Sequence, residues 1–194
     1  MKSVAVFCGS SMGASPSYKE GAIELGQELA KQEITLIYGG ASVGIMGTVA
    51  DAVLESGGKV IGVLPKMLED REIAHRGLTE LIVVNSMHER KTKMSELAEG
   101  FIALPGGPGT MEEFFEIFTW AQLGLHGRPC GILNINGYFD LMLQFFRHMN
   151  EQQFLQDKYA SMVLADTGPA GLLDKFRAYQ PPSVKTYIKE GSQT

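Results

Sequence analysis

The sequence predicts an α/β fold: a doubly wound, mainly parallel sheet flanked by helices and built as a single domain. Three observations carry this. Short apolar runs alternate with longer amphipathic stretches, the pattern of successive βαβ units. The runs are rich in β-branched residues and largely apolar rather than alternating, as strands covered on both faces are. Glycine-rich turns follow three of the runs, at the strand ends where open parallel sheets bind ligands.

The elements follow in order. "VAVFC" (4–8) is too short for a membrane span and lacks the organisation of a secretory signal, so it reads as a first strand. A helix-like stretch near 16–31 leads to "TLIY" (35–38), and another near 44–56 leads to "KVIGVL" (59–64). The polar segment "PKMLEDREIAHRG" (65–77) is a loop long enough to cover a site. "ELIVV" (80–84), "GFIALP" (100–105) and "GILNI" (131–135) are the remaining strands, with helices near 87–98, 110–125 and 138–150 and a last one near 169–179. The domain is expected over 1–180, with 181–194 an extended or frayed tail.

Composition bounds the function. The 194 residues are long enough for a substantial core, and 44% apolar with 20% charged residues is ordinary for a soluble globular protein. A net charge of −5 argues against broad nucleic-acid or anionic-membrane binding. Cys8 and Cys130 are too few for a disulfide framework and fit a reducing cytosol, so a cytoplasmic location is expected. His75, His126 and His148 show no metal-ligand spacing with cysteines or acids, and His88 reads as a surface residue, so no metal is expected.

The densest chemistry lies in "LPGGPGTMEEF" (104–114). A glycine-rich turn opening a helix presents free N–H groups and the positive end of the helix dipole, which suits a phosphate. The GxxxxGK[ST] phosphate loop is absent. The dinucleotide fingerprint fails as well: "CGSSMGAS" is not GxGxxG, and the second strand ends in Tyr38-Gly39-Gly40 rather than in an acid. Thr110 and Glu113 satisfy a T-x-x-E capping box, and acids in a first helical turn gain about 0.3–1 kcal/mol from the dipole. Yet Glu112, Glu116 and Thr119 share a stripe beside Glu113, apart from the core face of Met111, Phe114, Phe115, Phe118 and Ala121. Three glutamates clustered near a helix start, with few cations among them, repel one another, and a cap needs only one. Trp120 and Leu123 lie on that same side, where a partner helix, a substrate base or the neighbouring loop would cover them.

A second constellation is "NSMHERKTKM" (85–94), after the fourth strand. Ser86 and Glu89 form another capping box. Arg90 and Lys91 then fall in the second turn, where cations gain nothing from the dipole. They are either a solvated basic face or, at the same sheet edge as the glycine turn, groups that bind a phosphate or orient a carboxylate.

Together these motifs closely resemble the LOG family, the cytokinin riboside 5'-monophosphate phosphoribohydrolases whose bacterial relatives also act on AMP. "PGGPGTMEE" (105–113) fits PGGxGTxxE, "MHERK" (87–91) supplies the Arg-Lys that goes with it, and "FCGSS" (7–11) and "YGGASVGIMG" (38–47) complete the pattern over about residues 3–180. The resemblance implies a Rossmann-like homodimer, needing no cofactor, that hydrolyses the N-glycosidic bond of a nucleoside 5'-monophosphate to free base and ribose 5-phosphate, an activity akin to AMP nucleosidase. The older "lysine decarboxylase" label of such sequences is not supported by the family pattern, and no lysine here has the context of a pyridoxal Schiff base.

By position, Arg90 and Glu113 match the family's catalytic pair. Arg90, Lys91, Gly106, Gly107, Pro108, Gly109, Thr110, Met111, Glu112 and Thr119 match its substrate-contacting positions, as does Glu72 in the polar loop. Pro108 stands where many relatives carry an aromatic residue. On this reading the glycine turn anchors the 5'-phosphate, and Glu113, with Glu112 contacting the ribose or sharing the task, stabilises charge at the sugar or activates water. Arg90 holds the carboxylate or the phosphate. The alternative is a non-catalytic nucleotide sensor on the same fold.

Overall fold

Seven strands align in parallel, in the order β4-β3-β2-β1-β5-β6-β7. The computed structural model describes residues 1–69 and 74–183. The strands are β1 (Ser3–Phe7), β2 (Thr35–Tyr38), β3 (Val60–Pro65), β4 (Glu80–Val84), β5 (Phe101–Ala103), β6 (Cys130–Leu133) and β7 (Val163–Asp166). The helices are α1 (Pro16–Lys31), α2 (Gly44–Glu55), α3 (Lys66–Glu69), α4 (Met87–Leu97), α5 (Pro108–Gln122), α6 (Asp140–Glu151), α7 (Asp157–Ala160) and α8 (Pro169–Ala178), with a 3-10 turn at Ile135–Gly137. The expected doubly wound α/β domain is present, and its sheet is wholly rather than mainly parallel. The strand β7 and the single-turn helices α3 and α7 were not foreseen. Residue Glu72 and residues 184–194, most of the expected tail, lie outside the described residues.

Successive side chains of a strand face opposite ways, and β1 sorts them cleanly. Val4, Val6 and Cys8 enter the core shared with α1, α2 and α8, whereas Ala5 and Phe7 enter the core shared with α4, α5 and α6. Burial on both faces is why the runs carry no polar alternation. The sheet grows outward in both directions from β1, so the strand order reverses between β1 and β5. That reversal opens a crevice at the C-terminal strand ends, the place where such sheets bind ligands. No helix among the described residues is long and apolar enough to cross a membrane.

Arg128, just before β6, ties the back of the site together. Its guanidinium donates to the Ser95 and Ala98 carbonyls (2.9 Å to the latter) and to Ser95 Oγ at 3.0 Å, and it lies 4.8 Å over the Phe101 ring. It thereby closes the C-terminal end of α4, where a cation opposes the negative pole of the helix. Arg128→Ala is expected to cost about 2 kcal/mol through lost charge-assisted bonds. Thermal melting reads this as a drop of roughly 4–8 °C; an unchanged midpoint would refute the capping role.

Candidate active site

The three glycine turns interlock at the crevice. The Gly9 N–H after β1 donates to the Pro105 carbonyl after β5 at 3.1 Å, and the Met46 N–H after β2 donates to the Gly9 carbonyl at 3.2 Å. A cleft of about 180 Å³ opens beside them, lined by Ser11, Met12, Gly13, Tyr18, Ile45, Pro105, Gly106, Gly107 and Tyr138.

Helix α5 starts three residues earlier than the capping-box reading expects. Gly107 is the N-cap and Pro108 the first helical residue, while the Thr110 and Met111 N–H groups donate to the Gly107 carbonyl at 3.1 and 3.3 Å. Proline is pre-set for that first position, having the helical φ and no N–H to leave unpaired. Thr110 is thus inside the first turn, buried against Gly106, and the Thr110–Glu113 capping box does not form. Glu113 is freed for another partner. The Ser86 cap does form: Ser86 Oγ accepts from the Glu89 N–H at 3.1 Å, with the Glu89 carboxylate accepting from the Asn85 N–H at 2.7 Å rather than from Ser86 itself.

The partner of Glu113 comes from α4. Arg90 Nη1 lies 3.1 Å from Glu113 Oε1, and both side chains are nearly enclosed, at 11% and 12% exposure. Arg90 Nε also donates to the Val63 carbonyl at 3.2 Å, which fixes the guanidinium plane. Burial holds the Glu113 carboxyl above the usual glutamate range; Arg90 pulls it back down, and Glu112 pushes it up again. Cys8 sits close enough to feel both charges, but burial drives its thiol far up, so it stays protonated and unreactive.

One glutamate over, charge is balanced instead. Lys91 Nζ bridges Glu112 at 2.7 Å and Glu116 at 3.0 Å. Burial works against the ammonium, but the two carboxylates outweigh it and hold its pKa above the ordinary lysine value. The repulsion among three glutamates expected from α5 alone is therefore relieved by cations from α4.

Gly39 makes room for this pair. Its φ is not in the left-handed region, yet a Cβ there would collide with the Arg90 guanidinium. The requirement is for space. Gly39→Ala is expected to push Arg90 off Glu113 and lower kcat/KM on the order of 10²-fold, as misplacements of about 1 Å do. The melting temperature should fall no further than in a variant that lacks Arg90 altogether, since the backbone itself accepts alanine; a larger loss would point to a fold role instead.

The other anticipated positions distribute unevenly. Gly107, Pro108 and Gly109 are exposed at the helix start, and Gly106 is half-buried behind them. Met111 is half-buried against the α5 core. Thr119 is exposed, its hydroxyl donating to the Phe115 carbonyl at 2.7 Å. Trp120 packs partly into this chain's own core, so the neighbouring elements cover much of it.

Comparison with known proteins decides the family. The family model described as "Possible lysine decarboxylase" matches residues 46–176. A cytokinin riboside 5'-monophosphate phosphoribohydrolase of Rhodococcoides fascians is 46% identical over 178 residues, 91% of this chain and 90% of that one. The LOG7 enzyme of the same name from Arabidopsis thaliana is 44% identical over 180 residues, 93% of this chain and 83% of that one. The chain belongs to the LOG family. Solved structures agree on the fold: the TM1055 structure has a TM-score of 0.70 at 22% identity, covering 92% of this chain and 100% of that one. A molybdenum-cofactor carrier protein of Chlamydomonas reinhardtii has the same score at 21% identity, covering 91% and 96%.

The LOG family motifs do not lead to every residue at the crevice. Tyr138, in "NGYFD", donates its hydroxyl to the Gly106 carbonyl at 2.6 Å and meets the Tyr18 ring edge-on at 5.5 Å. Neither tyrosine stood out in the sequence. The signal was an aromatic residue beside Gly137, whose φ of 68° marks a tight turn at the end of β6, on the ligand edge of the sheet.

Proposed function

We propose that this chain hydrolyses the N-glycosidic bond of a nucleoside 5'-monophosphate, a cytokinin riboside 5'-monophosphate or AMP, releasing free base and ribose 5-phosphate. The observation that carries this is the enclosed Arg90–Glu113 pair at the rim of the phosphate turn, in a chain 46% identical to an enzyme named for that reaction.

The chemistry follows from placement. The first turn of α5 offers N–H groups and a positive pole to the 5'-phosphate. Helical side chains tilt back toward the N-terminus, so Glu113, lying about 7–8 Å along the axis from the helix start, leans toward the phosphate turn. Phosphate binding energy holds the ribose there. Cleaving the C1'–N bond builds oxocarbenium character, and a carboxylate beside C1' stabilises it or activates the attacking water. Glu113 suits that role better than Glu112, which is 58% exposed and already neutralised by Lys91. In a water-poor setting a carboxylate acts more strongly on a developing cation. Arg90 orients Glu113 and offsets part of the burial that raises its pKa; Lys91 holds Glu112 toward the ribose hydroxyls.

Incubating the protein with AMP and with N6-isopentenyl-AMP tests the reading. Release of base and ribose 5-phosphate in equal amounts is expected; nucleotide binding with no release from either would leave a sensor in its place. We also take the working unit to be a cytoplasmic homodimer. The free thiols Cys8 and Cys130 and the exposed Leu123 and Leu125 after α5 support this, and light scattering on the purified protein checks the assembly.

A further inference from the structure

Three successive carbonyls of the glycine turn are each held by a different part of the molecule. Pro105 accepts from the Gly9 N–H at 3.1 Å, Gly107 accepts from the Thr110 and Met111 N–H groups, and Gly106 accepts from the Tyr138 hydroxyl at 2.6 Å. In a trans peptide the carbonyl and the following N–H point in opposite directions, and the structure contains no cis bond among its described residues. Tying back the carbonyls of 105 and 106 therefore turns the N–H groups of Gly106 and Gly107 the other way. Neither N–H meets a backbone acceptor among the described residues. Successive backbone N–H groups aimed into one concavity make an anion site.

The middle peptide is the vulnerable one. It joins two glycines, so no Cβ resists its rotation, and a flip would present the Gly106 carbonyl where the N–H of Gly107 had been. Its neighbours are held by backbone partners. Only a side chain holds this one. Tyr138 is itself kept in place, edge-on to Tyr18 at 5.5 Å and to Phe139 at 4.9 Å. We infer that Tyr138 is a positioning residue: its hydroxyl locks the Gly106–Gly107 peptide with the N–H toward the substrate's phosphate, and so sets the enzyme's preference for phosphorylated over unphosphorylated ligands. This rests on the reading of the turn as the phosphate site.

The test compares native protein with Tyr138→Phe, which keeps both ring contacts and removes only the donor. Calorimetry with ribose 5-phosphate and with inorganic phosphate is expected to show Kd raised about three- to tenfold, the worth of one hydrogen bond. Adenine binding and the melting temperature should be unchanged. In turnover, KM for AMP rises by the same factor with kcat held. A purely structural role for Tyr138 would weaken adenine and phosphate alike and lower the melting point; that outcome, or an unchanged Kd for ribose 5-phosphate, overturns the proposal. Base release by the native protein is read separately. Turnover with an unaltered Tyr138→Phe overturns the positioning role alone. Intact phosphate binding lost in Tyr138→Phe, with no native turnover, supports the positioning role and overturns the hydrolase.

Discussion

Glu113→Gln is expected to lower kcat/KM by about 10²–10⁴-fold, the contribution of a positioned proton-transfer or charge-stabilising group, while the protein melts at the same temperature or higher. The two halves of this expectation have one cause. Burial raises the Glu113 pKa despite Arg90, so the fold favours the neutral form. A group shifted this way adds stability that is present below its unfolded pKa and is lost as pH rises through the folded value. The charged carboxylate is therefore costly to the fold, and glutamine removes that charge while its amide oxygen still accepts from Arg90. The proposed mechanism needs the charge that the fold disfavours. Activity should accordingly fall as pH drops through the raised pKa, with an acid limb above the ordinary glutamate value of about 4.3. That limb should vanish from the residual activity of the glutamine variant. A variant that is both unstable and active would remove Glu113 from the chemistry.

Arg90→Ala is expected to be costly in both respects. It strands a buried carboxylate, a change that costs about 3 kcal/mol where the remaining charge finds no partner, and it deprives Glu113 of the cation that lowers its pKa. The acid limb should move upward in pH, and kcat/KM should fall by at least about 10²-fold at neutral pH. Lysine is a poor substitute, because one ammonium cannot hold both the Val63 carbonyl and Glu113 as the guanidinium fork does. The double variant with Glu113→Gln should be scarcely less active than Glu113→Gln alone, since the two act as a unit. Strictly additive losses would mean that Arg90 serves the substrate directly.

Much of this was legible in the sequence because it is local. Strand runs, helix faces and turn glycines follow from spacing and backbone preference within a few residues, and the largely apolar runs declared a sheet covered on both sides. What failed failed at distance. The T-x-x-E pattern suggested a cap because it was read without Pro108, which sets the helix start and leaves Glu113 outside the cap. The glutamates of α5 looked mutually repulsive because Lys91, which neutralises two of them, arrives from another helix. Strand β7 is four half-buried residues at the sheet edge, too short and too mixed to stand out. Tyr138 acts on Gly106 across the crevice, and no periodicity encodes that reach.

Strand β4 is the outer edge of the sheet, and β5 lies beyond β1, so the chain must travel back across three strands between them. Helix α4 makes that journey, packing over β3, β2 and β1, and it carries both cations. Arg90 cannot meet Glu113 until those strands are aligned and the crossover has docked. Long-range closures of this kind are slow steps in folding. A refolding chain should regain its helical signal before it regains any turnover, and a chain still emerging from the ribosome is inert until its fifth strand is seated. Completion of the fold itself is what turns the enzyme on.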